Sequence, residues 1–315
     1  MTFVEKESVR ATEFVLREAG FAVSQVCCSR PSCFDFAARK SGTTILVKVQ
    51  SDVDSFPSSD SQELKVISER VSAASLLISK KTREKPLEDD TVYTRHNVFT
   101  VTPKTFENIV LRKAYPLIHA GPGGYYVEID GEAIKSKRQE LGLSTGQIAG
   151  MIGISRRTVY GYERGMAKAS VAAAYNLVYT LGIPVAKPID VFDRSRKQRQ
   201  CFLTKAGRAI ATNKLLQRIF RKFARYDITT VRKAPFDFVI RVPEEKMRII
   251  GGVAKEGERE LDKRVDEILS VSKIVQAHPI LITGGQRPSN KDISCVYKEE
   301  LSKIRTPEDL ITNVK

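Results

Sequence analysis

Residues 131–182 read GEAIKSKRQELGLSTGQIAGMIGISRRTVYGYERGMAKASVAAAYNLVYTLG, and their punctuation leaves the stretch few ways to fold. A first helical pattern runs to Gly142, a residue suited to the left-handed backbone that ends a helix. Ser144 stands where it can accept the free N–H groups of a second helix, and Gln147, three residues on, completes a capping box. Ile148, Ala149 and Ile152 give that helix an inward face. Gly153 supplies a tight turn, Ser155 caps a third helix, and Val159 with Tyr162 anchors it. Gly165 closes the third helix and Ser170 starts a fourth. A compact all-helical segment is therefore expected from 131 to 193.

Arg138, Leu143-Ser144, Ile148-Ala149, Gly153-Ile154-Ser155, Val159 and Tyr162-Glu163-Arg164-Gly165 closely resemble the helix-turn-helix of the phage-repressor-like, or XRE, family. The resemblance implies double-stranded DNA as partner, read in the major groove by the N-terminal residues of the second helix of the pair. Here that helix starts at Ser155. Arg156, Arg157, Thr158 and Tyr160 project from the side opposite Val159 and are the expected base readers, arginine being suited to the O6 and N7 acceptors of guanine. Thr145, at the start of the preceding helix, is expected to donate to phosphate. Arg164 and Lys135 are further phosphate candidates, although Glu163 and Glu140 compete for Arg164. Such motifs commonly act in pairs on half-sites about one helical turn apart, so a homodimer is expected.

The flanks carry an internal echo. With a shift of 204 residues, SLLIS (75–79) falls on PILIT (279–283), Val92-Tyr93 on Val296-Tyr297, and Thr102-Pro103 on Thr306-Pro307; with a shift of 202, Phe34-Asp35-Phe36 falls on Phe236-Asp237-Phe238. Kept order at a near-constant offset predicts a duplicated domain, two copies being too few for a solenoid. Each copy has α/β patterning: helical spacing over 4–19, strands at FAVSQVCC, FDFAARK and TILVKVQ with a corner at Lys40-Ser41-Gly42, a polar loop SDVDSFPSSDS, a helix over ELKVISERVSA, and strands SLLIS and NVFTVT before a short helix from Pro103.

An aspartate on one strand and a lysine on the next resemble the restriction-endonuclease-like fold shared with archaeal Holliday-junction resolvases. In that fold the resemblance implies an Asp, and a Glu two residues before a Lys, holding Mg²⁺ and orienting water. Asp35 and Lys48 match, but the glutamate position is Leu46, and a leucine cannot ligate a hard cation. In the second copy Asp237 persists while the corresponding pair is Ile250 and Gly252. Asp35, Leu46, Lys48 and Asp237 are therefore read as vestigial, with no catalytic residue and no metal expected. Glu7, Glu13, Asp52 or Asp54 could restore a carboxylate only by migrating into the first site.

Lysine and arginine number 52 against 37 Asp and Glu, a formal charge of +15, which favours polyanionic partners. From Arg194 to Tyr226 the chain has eleven basic residues and no acidic one, an expected phosphate-contacting surface. No run of apolar residues is long enough for a membrane span and the N-terminus is charged, so a soluble, intracellular chain with no membrane partner is expected. Cys27, Cys28 and Cys33 cluster without a second CxxC or paired His, and read as buried reduced thiols. No cofactor is expected: neither a GxxxxGK[ST] nor a GxGxxG loop occurs, and GPGG at 121–124 lacks the lysine. No motif names a small-molecule effector.

The expected architecture is α/β plus all-α: a nuclease-like, inactive α/β domain over 1–118, a Gly/Pro linker and short strand over 119–130, an XRE-type helix-turn-helix over 131–193, and a basic helical segment with a second nuclease-like domain over 194–315. The order of these domains, YYVEIDGEAIKSKRQELGLS, and SRRTVYGYERG followed by KPIDVF are similar to archaeal HTH-type transcriptional regulators, which implies a cytoplasmic, sequence-specific DNA-binding regulator. A metal-dependent structure-selective nuclease and a nonspecific chromosome-associated binder are the alternatives.

Overall fold

In the computed structural model, which describes residues 3–83, 85–193, 214–223, 225–242, 247–255 and 257–312, the chain divides into two units: residues 1–78 with 192–315, and residues 79–191.

The first unit holds two α/β halves. In the first half, α1 (Phe3–Glu18) ends at Gly20, whose φ of +80° is the left-handed stop predicted for it. Strands β1 (Ala22–Val23), β2 (Phe36–Lys40), β3 (Thr43–Val49) and β4 (Ala74–Ile78) follow, with α2 (Ser58–Val71) crossing between β3 and β4. β1, β2 and β3 are antiparallel neighbours, and β3 pairs parallel with β4. The corner between β2 and β3 has positive φ at both Ser41 and Gly42, the signature of a two-residue hairpin. Two local readings need correction. Only Ala22–Val23 of FAVSQVCC is strand, and α2 begins directly after Pro57, inside the stretch expected to be loop. Proline fixes its own φ and is well placed to open a helix.

The second half begins with α8 (Lys214–Lys222), then β12 (Asp227–Thr230), β13 (Phe238–Val242), β14 (Met247–Val253), α9 (Leu261–Val275), β15 (His278–Thr283), β16 (Ser294–Tyr297) and α10 (Asp309–Thr312). β12, β13 and β14 are antiparallel neighbours, β14 is parallel to β15 across α9, and β15 is parallel to β16. Its core joins Ile219 of α8 and Phe223 just after it to Ile228, Phe238, Ile249 and Ile280 of the sheet. The crossover helices are exchanged between halves: α2 also packs on β13, and α9 on β2. Most of the basic run at 194–226 lies outside the described residues. At its end, Lys222 is turned inward, its Nζ donating to the carbonyls of Leu301 and Ser302.

The second unit opens with a small ladder, β5 (Lys81–Thr82) on β6 (Lys85–Pro86), and a hairpin, β7 (Thr91–Arg95) and β8 (Val98–Val101), followed by α3 (Pro103–Arg112). The expected linker is instead a second hairpin, β9 (Ile118–Gly121) and β10 (Gly124–Val127), turning at Pro122-Gly123. β7 pairs parallel with β9, which joins this hairpin to the one before α3. Four helices follow: α4 (Gly131–Glu140), α5 (Thr145–Ile152), α6 (Arg156–Glu163) and α7 (Val171–Leu181). Between α6 and α7, β11 (Ala169–Ser170) returns to pair with β10, tying the helices to the hairpin.

Candidate nucleic-acid interface

Each boundary in the four-helix segment has a chemical cause. Asp130 accepts from the N–H of Ala133 at 3.3 Å and starts α4. Ser144 and Gln147 form the reciprocal capping box, the Gln147 N–H reaching Ser144 Oγ at 3.2 Å and the Ser144 N–H reaching Gln147 Oε1 at 2.8 Å. Gly153 takes φ +74° in the turn, and Ser155 Oγ accepts from the N–H of Thr158 at 3.0 Å to start α6. Ile134, Ile148, Ile152, Val159, Tyr162 and Leu177 close the core beneath them.

The angle of α6 is set by a buried ion pair that spacing alone did not reveal. Arg138 on α4 grips Glu163 at the end of α6 with two bonds, Nε to Oε1 at 2.5 Å and Nη2 to Oε2 at 3.1 Å, while Nη1 donates to the Leu143 carbonyl at 2.8 Å. The Glu163 bond holds the Arg138 guanidinium protonated even above its usual range. A glycine completes the joint: a Cβ on Gly131 would lie 2.3 Å from the Tyr162 carbonyl oxygen, so any side chain there would force α4 and α6 apart.

With α6 so held, Arg156, Arg157 and Tyr160 are exposed on its outer side. Thr158 is half-buried, and its hydroxyl lies 2.8 Å from Ser155 Oγ, so it faces the cap and not the outer row. Arg156 lies across α5: a Cβ on Gly146 would come within 2.6 Å of its Nε, so the glycine lets the guanidinium rest there, next to half-buried Thr145 in the chain. Arg164 bonds neither of its expected competitors. Glu163 is held by Arg138, Glu140 by Lys137 at 2.6 Å, and the Arg164 guanidinium stacks 4.6 Å above the Tyr160 ring. Lys135 is exposed on α4.

The nuclease-like positions were tested for fit to a divalent metal. Asp35 is buried; its Oδ1 pairs with Lys48 Nζ at 2.9 Å and its Oδ2 accepts the Val49 N–H at 2.7 Å. Burial pushes its carboxyl above the usual range, with Lys48 and the Val49 N–H pulling the other way. Leu46 is fully buried in the core. Of the four carboxylates that could have migrated, Glu13 pairs with Arg17 at 2.7 Å, Asp52 caps a short 3₁₀ turn through the Asp54 N–H, Asp54 lies half-buried within that turn, and Glu7 is exposed. The charge of Glu5 on α1 adds a lesser upward push on the Asp35 carboxyl.

In the second half, guanidinium groups stand around the aspartate. Asp237 Oδ2 accepts the Val253 N–H at 2.7 Å and pairs with Arg264, while Oδ1 pairs with Arg30 of the first half at 2.9 Å. Fully buried Arg264 also bridges to Glu258, at 3.0 and 3.1 Å, and donates to the Pro235 carbonyl at 2.6 Å. Gly252, at the lysine position, has no space for a side chain, since a Cβ would meet Ile268 at 2.9 Å. Among the described residues no three His, Cys, Asp or Glu side chains gather as a metal site would require. Each aspartate is satisfied by protein cations, and the residues do not fit a divalent metal. Cys27 and Cys33 are buried, which pushes both thiols up, and Cys28 is exposed.

Residues 5–116 match the model of the PD-(D/E)XK superfamily domain, and residues 134–187 match that of a helix-turn-helix. Over nearly the whole chain there are curated relatives. A "Putative HTH-type transcriptional regulatory protein" of Methanosarcina acetivorans is 32% identical, covering 94% of this chain and 92% of that protein. The chain belongs to this family of HTH-type transcriptional regulatory proteins. A family member from Halobacterium salinarum is 31% identical over 94% of this chain and 92% of its own, and one from Pyrococcus furiosus 27% identical over 99% and 98%. The HTH-type regulatory family is thus archaeal in these members and matched end to end, nuclease-like parts included. Among solved structures, a SinR protein/SinI protein complex covers 30% of this chain and 91% of that chain at 21% identity, with a TM-score of 0.16. No described helix of this family member is long and apolar enough to cross a membrane.

Proposed function

We propose that this chain is a sequence-specific regulator of transcription that reads double-stranded DNA in the major groove with α6, and that it acts as a homodimer on paired half-sites. The observation that carries this reading is the exposed row of Arg156, Arg157 and Tyr160 on a helix whose orientation is pinned by the Arg138–Glu163 pair. Arg156, lying across Gly146 beside Thr145, is in position to serve base edge or phosphate, and Arg164, stacked on Tyr160, extends the row. Thr158 is reassigned from base reader to support of the Ser155 cap. Lys135 keeps a phosphate role.

The flanking halves act in assembly and not in cleavage. Supporting this, Leu46 and Gly252 occupy ligand positions, and Lys48, Arg264 and Arg30 neutralise the aspartates. A common origin for the halves is supported by reciprocal bonds at one offset. Glu63 on α2 accepts the N–H groups of Arg232 and Lys233, and Glu267 on α9 accepts those of Cys28 and Ser29, each partner 204 residues from its counterpart.

Footprinting on duplex selected from a random pool tests the reading. The intact chain is expected to protect a discrete site. Arg156→Ala and Arg157→Ala should each weaken it about 10-fold or more, in line with the ~1–3 kcal/mol of a bidentate base contact, with an unchanged circular dichroism spectrum. Uniform binding to all sequences, or nicking of branched duplex on adding Mg²⁺ or Mn²⁺, would overturn it.

A further inference from the structure

The sequence VAAAYNLVYTL of α7 contains no charged residue, and beside Asn176 and Thr180 it carries large apolar side chains around most of its circumference, each of which gains from a neighbour. Its inner stripe has one: Ala173, Ala174, Leu177 and Leu181 are buried in the four-helix core. Its outer stripe, at helical spacing, is exposed. Val171 is 38% exposed, Tyr175 69%, Val178 40% and Tyr179 82%. Alongside runs a groove of about 530 Å³ whose far wall is Tyr115, Pro116, Leu117 and Ile118, with Asp90 and Arg112 among its lining.

We propose that this face is where a second copy of the chain docks, the tyrosine ridge of each protomer entering the groove of the other. The proposal rests on the reading of the chain as a dimeric DNA-binding regulator and names the surface through which it pairs. Three features select a second copy as occupant. First, ridge and groove lie side by side on one face, as a twofold contact requires, because the same patch must be complementary to itself. Second, the lining carries one acidic and one basic residue, Asp90 and Arg112, so both signs are present for a surface that meets its own copy. Third, the area is of the right order. A tyrosine can bury about 200 Å², so the exposed parts of the stripe and Leu117 offer roughly 400 Å² per copy before the groove walls are counted, about half of the ~800 Å² each partner gives to a standard interface. A small molecule filling the groove would touch Tyr175, which lines it, but would leave Tyr179, 82% exposed and outside the lining, in water. None of the groove or ridge residues comes from α5 or α6, so pairing through this face leaves the proposed reading helix uncovered.

The test uses the full-length chain. Sedimentation equilibrium is expected to give a dimer for the wild type and a monomer for the variant carrying Tyr175→Glu and Tyr179→Glu, with unchanged circular dichroism and melting temperature. Leu117→Asp, on the opposite wall, should shift the equilibrium the same way and guards against a misfolded ridge variant. On the duplex that the wild type selects, the ridge variant should lose at least 10-fold in affinity, while on one half of that duplex it should match the wild type within about twofold. A monomeric wild type, or variants that stay dimeric, overturns the interface; in the second case the DNA reading stands and the dimer forms elsewhere. Dissociation of the variants without any binding of duplex by the wild type upholds the interface and removes the DNA reading.

Discussion

The two α/β halves solve one electrostatic problem in different ways. In both, an aspartate one residue ahead of a strand faces the adjoining strand in the same register, Phe36 opposite Val47 and Phe238 opposite Gly251, and in both its Oδ2 accepts a valine N–H at 2.7 Å. In the first half the compensating cation is local: Lys48, on the neighbouring strand, meets Asp35 directly. In the second half that position is Gly252, and Ile268 fills the space beside it. The cations come from elsewhere, Arg264 from α9 and Arg30 from the other half. A carboxylate kept in a sheet needs a counter-charge whether or not a metal is bound, and the fold supplies it from whichever element is close. The second solution also binds the halves together, since Arg30 spans them next to the Phe34–Phe236 ring contact and the Cys33 N–H bond to the Lys233 carbonyl at 2.9 Å.

If the cation of the second half is the more heavily committed, its removal is the more damaging. Arg264→Leu leaves Glu258 without its cation and Asp237 with Arg30 alone, and should cost about 3–5 kcal/mol in urea denaturation, the scale for breaking a buried pair. Lys48→Met strands one carboxylate and should cost about 2 kcal/mol, as for a charged hydrogen bond left unmade. Equal costs would erase the contrast between the halves.

The Lys48→Met deficit should also depend on pH. Burial already raises the Asp35 carboxyl, and losing Lys48 raises it further. A carboxyl whose folded pKa lies above its unfolded value binds more protons folded than unfolded in that interval. Stability is therefore greatest below the ordinary carboxylate range and falls as pH rises through the folded value. Denaturation at pH 4 and pH 7 should show the smaller deficit at pH 4, and the reverse trend would contradict the pairing.

The smallest effects are expected where the halves are most alike. Glu63→Gln and Glu267→Gln each weaken two bonds to backbone N–H groups and should each cost about 1 kcal/mol. Glu267→Gln should be the costlier, because Glu267 is buried and also accepts from the Ser29 hydroxyl. A measurable loss at only one of them would break the reciprocity.

Much of the helix-turn-helix was legible because its signals are short-range. Ser144 and Gln147, Gly153, and Ser155 act on backbone groups within four residues, so spacing suffices to place caps and turns. The same holds for Asp35 and Lys48, brought together by a hairpin whose corner is Ser41-Gly42. Spacing failed where a neighbour decided the outcome. HAGPGGYYV looked like a linker because Gly and Pro mark hairpin turns and linkers alike, and the pairing of β9 with β7 selects the hairpin. Thr158 lay on the correct arc of α6, yet its hydroxyl had a nearer partner in Ser155.

By itself, the sequence determined the helix-turn-helix, the order of strands and crossover helices in each half, and the absence of a carboxylate at Leu46. These depend on local hydrogen bonding, on periodicity and on the chemistry of single side chains. Only the tertiary structure decided that Arg138 holds Glu163, 25 residues away, that Arg30 reaches Asp237 across 207 residues, and that Tyr175 and Tyr179 on the outer face of α7 stay exposed. The physical reason is that a buried charge or an apolar stripe states a need, whereas the partner that meets it is chosen by three-dimensional proximity, which sequence separation does not encode.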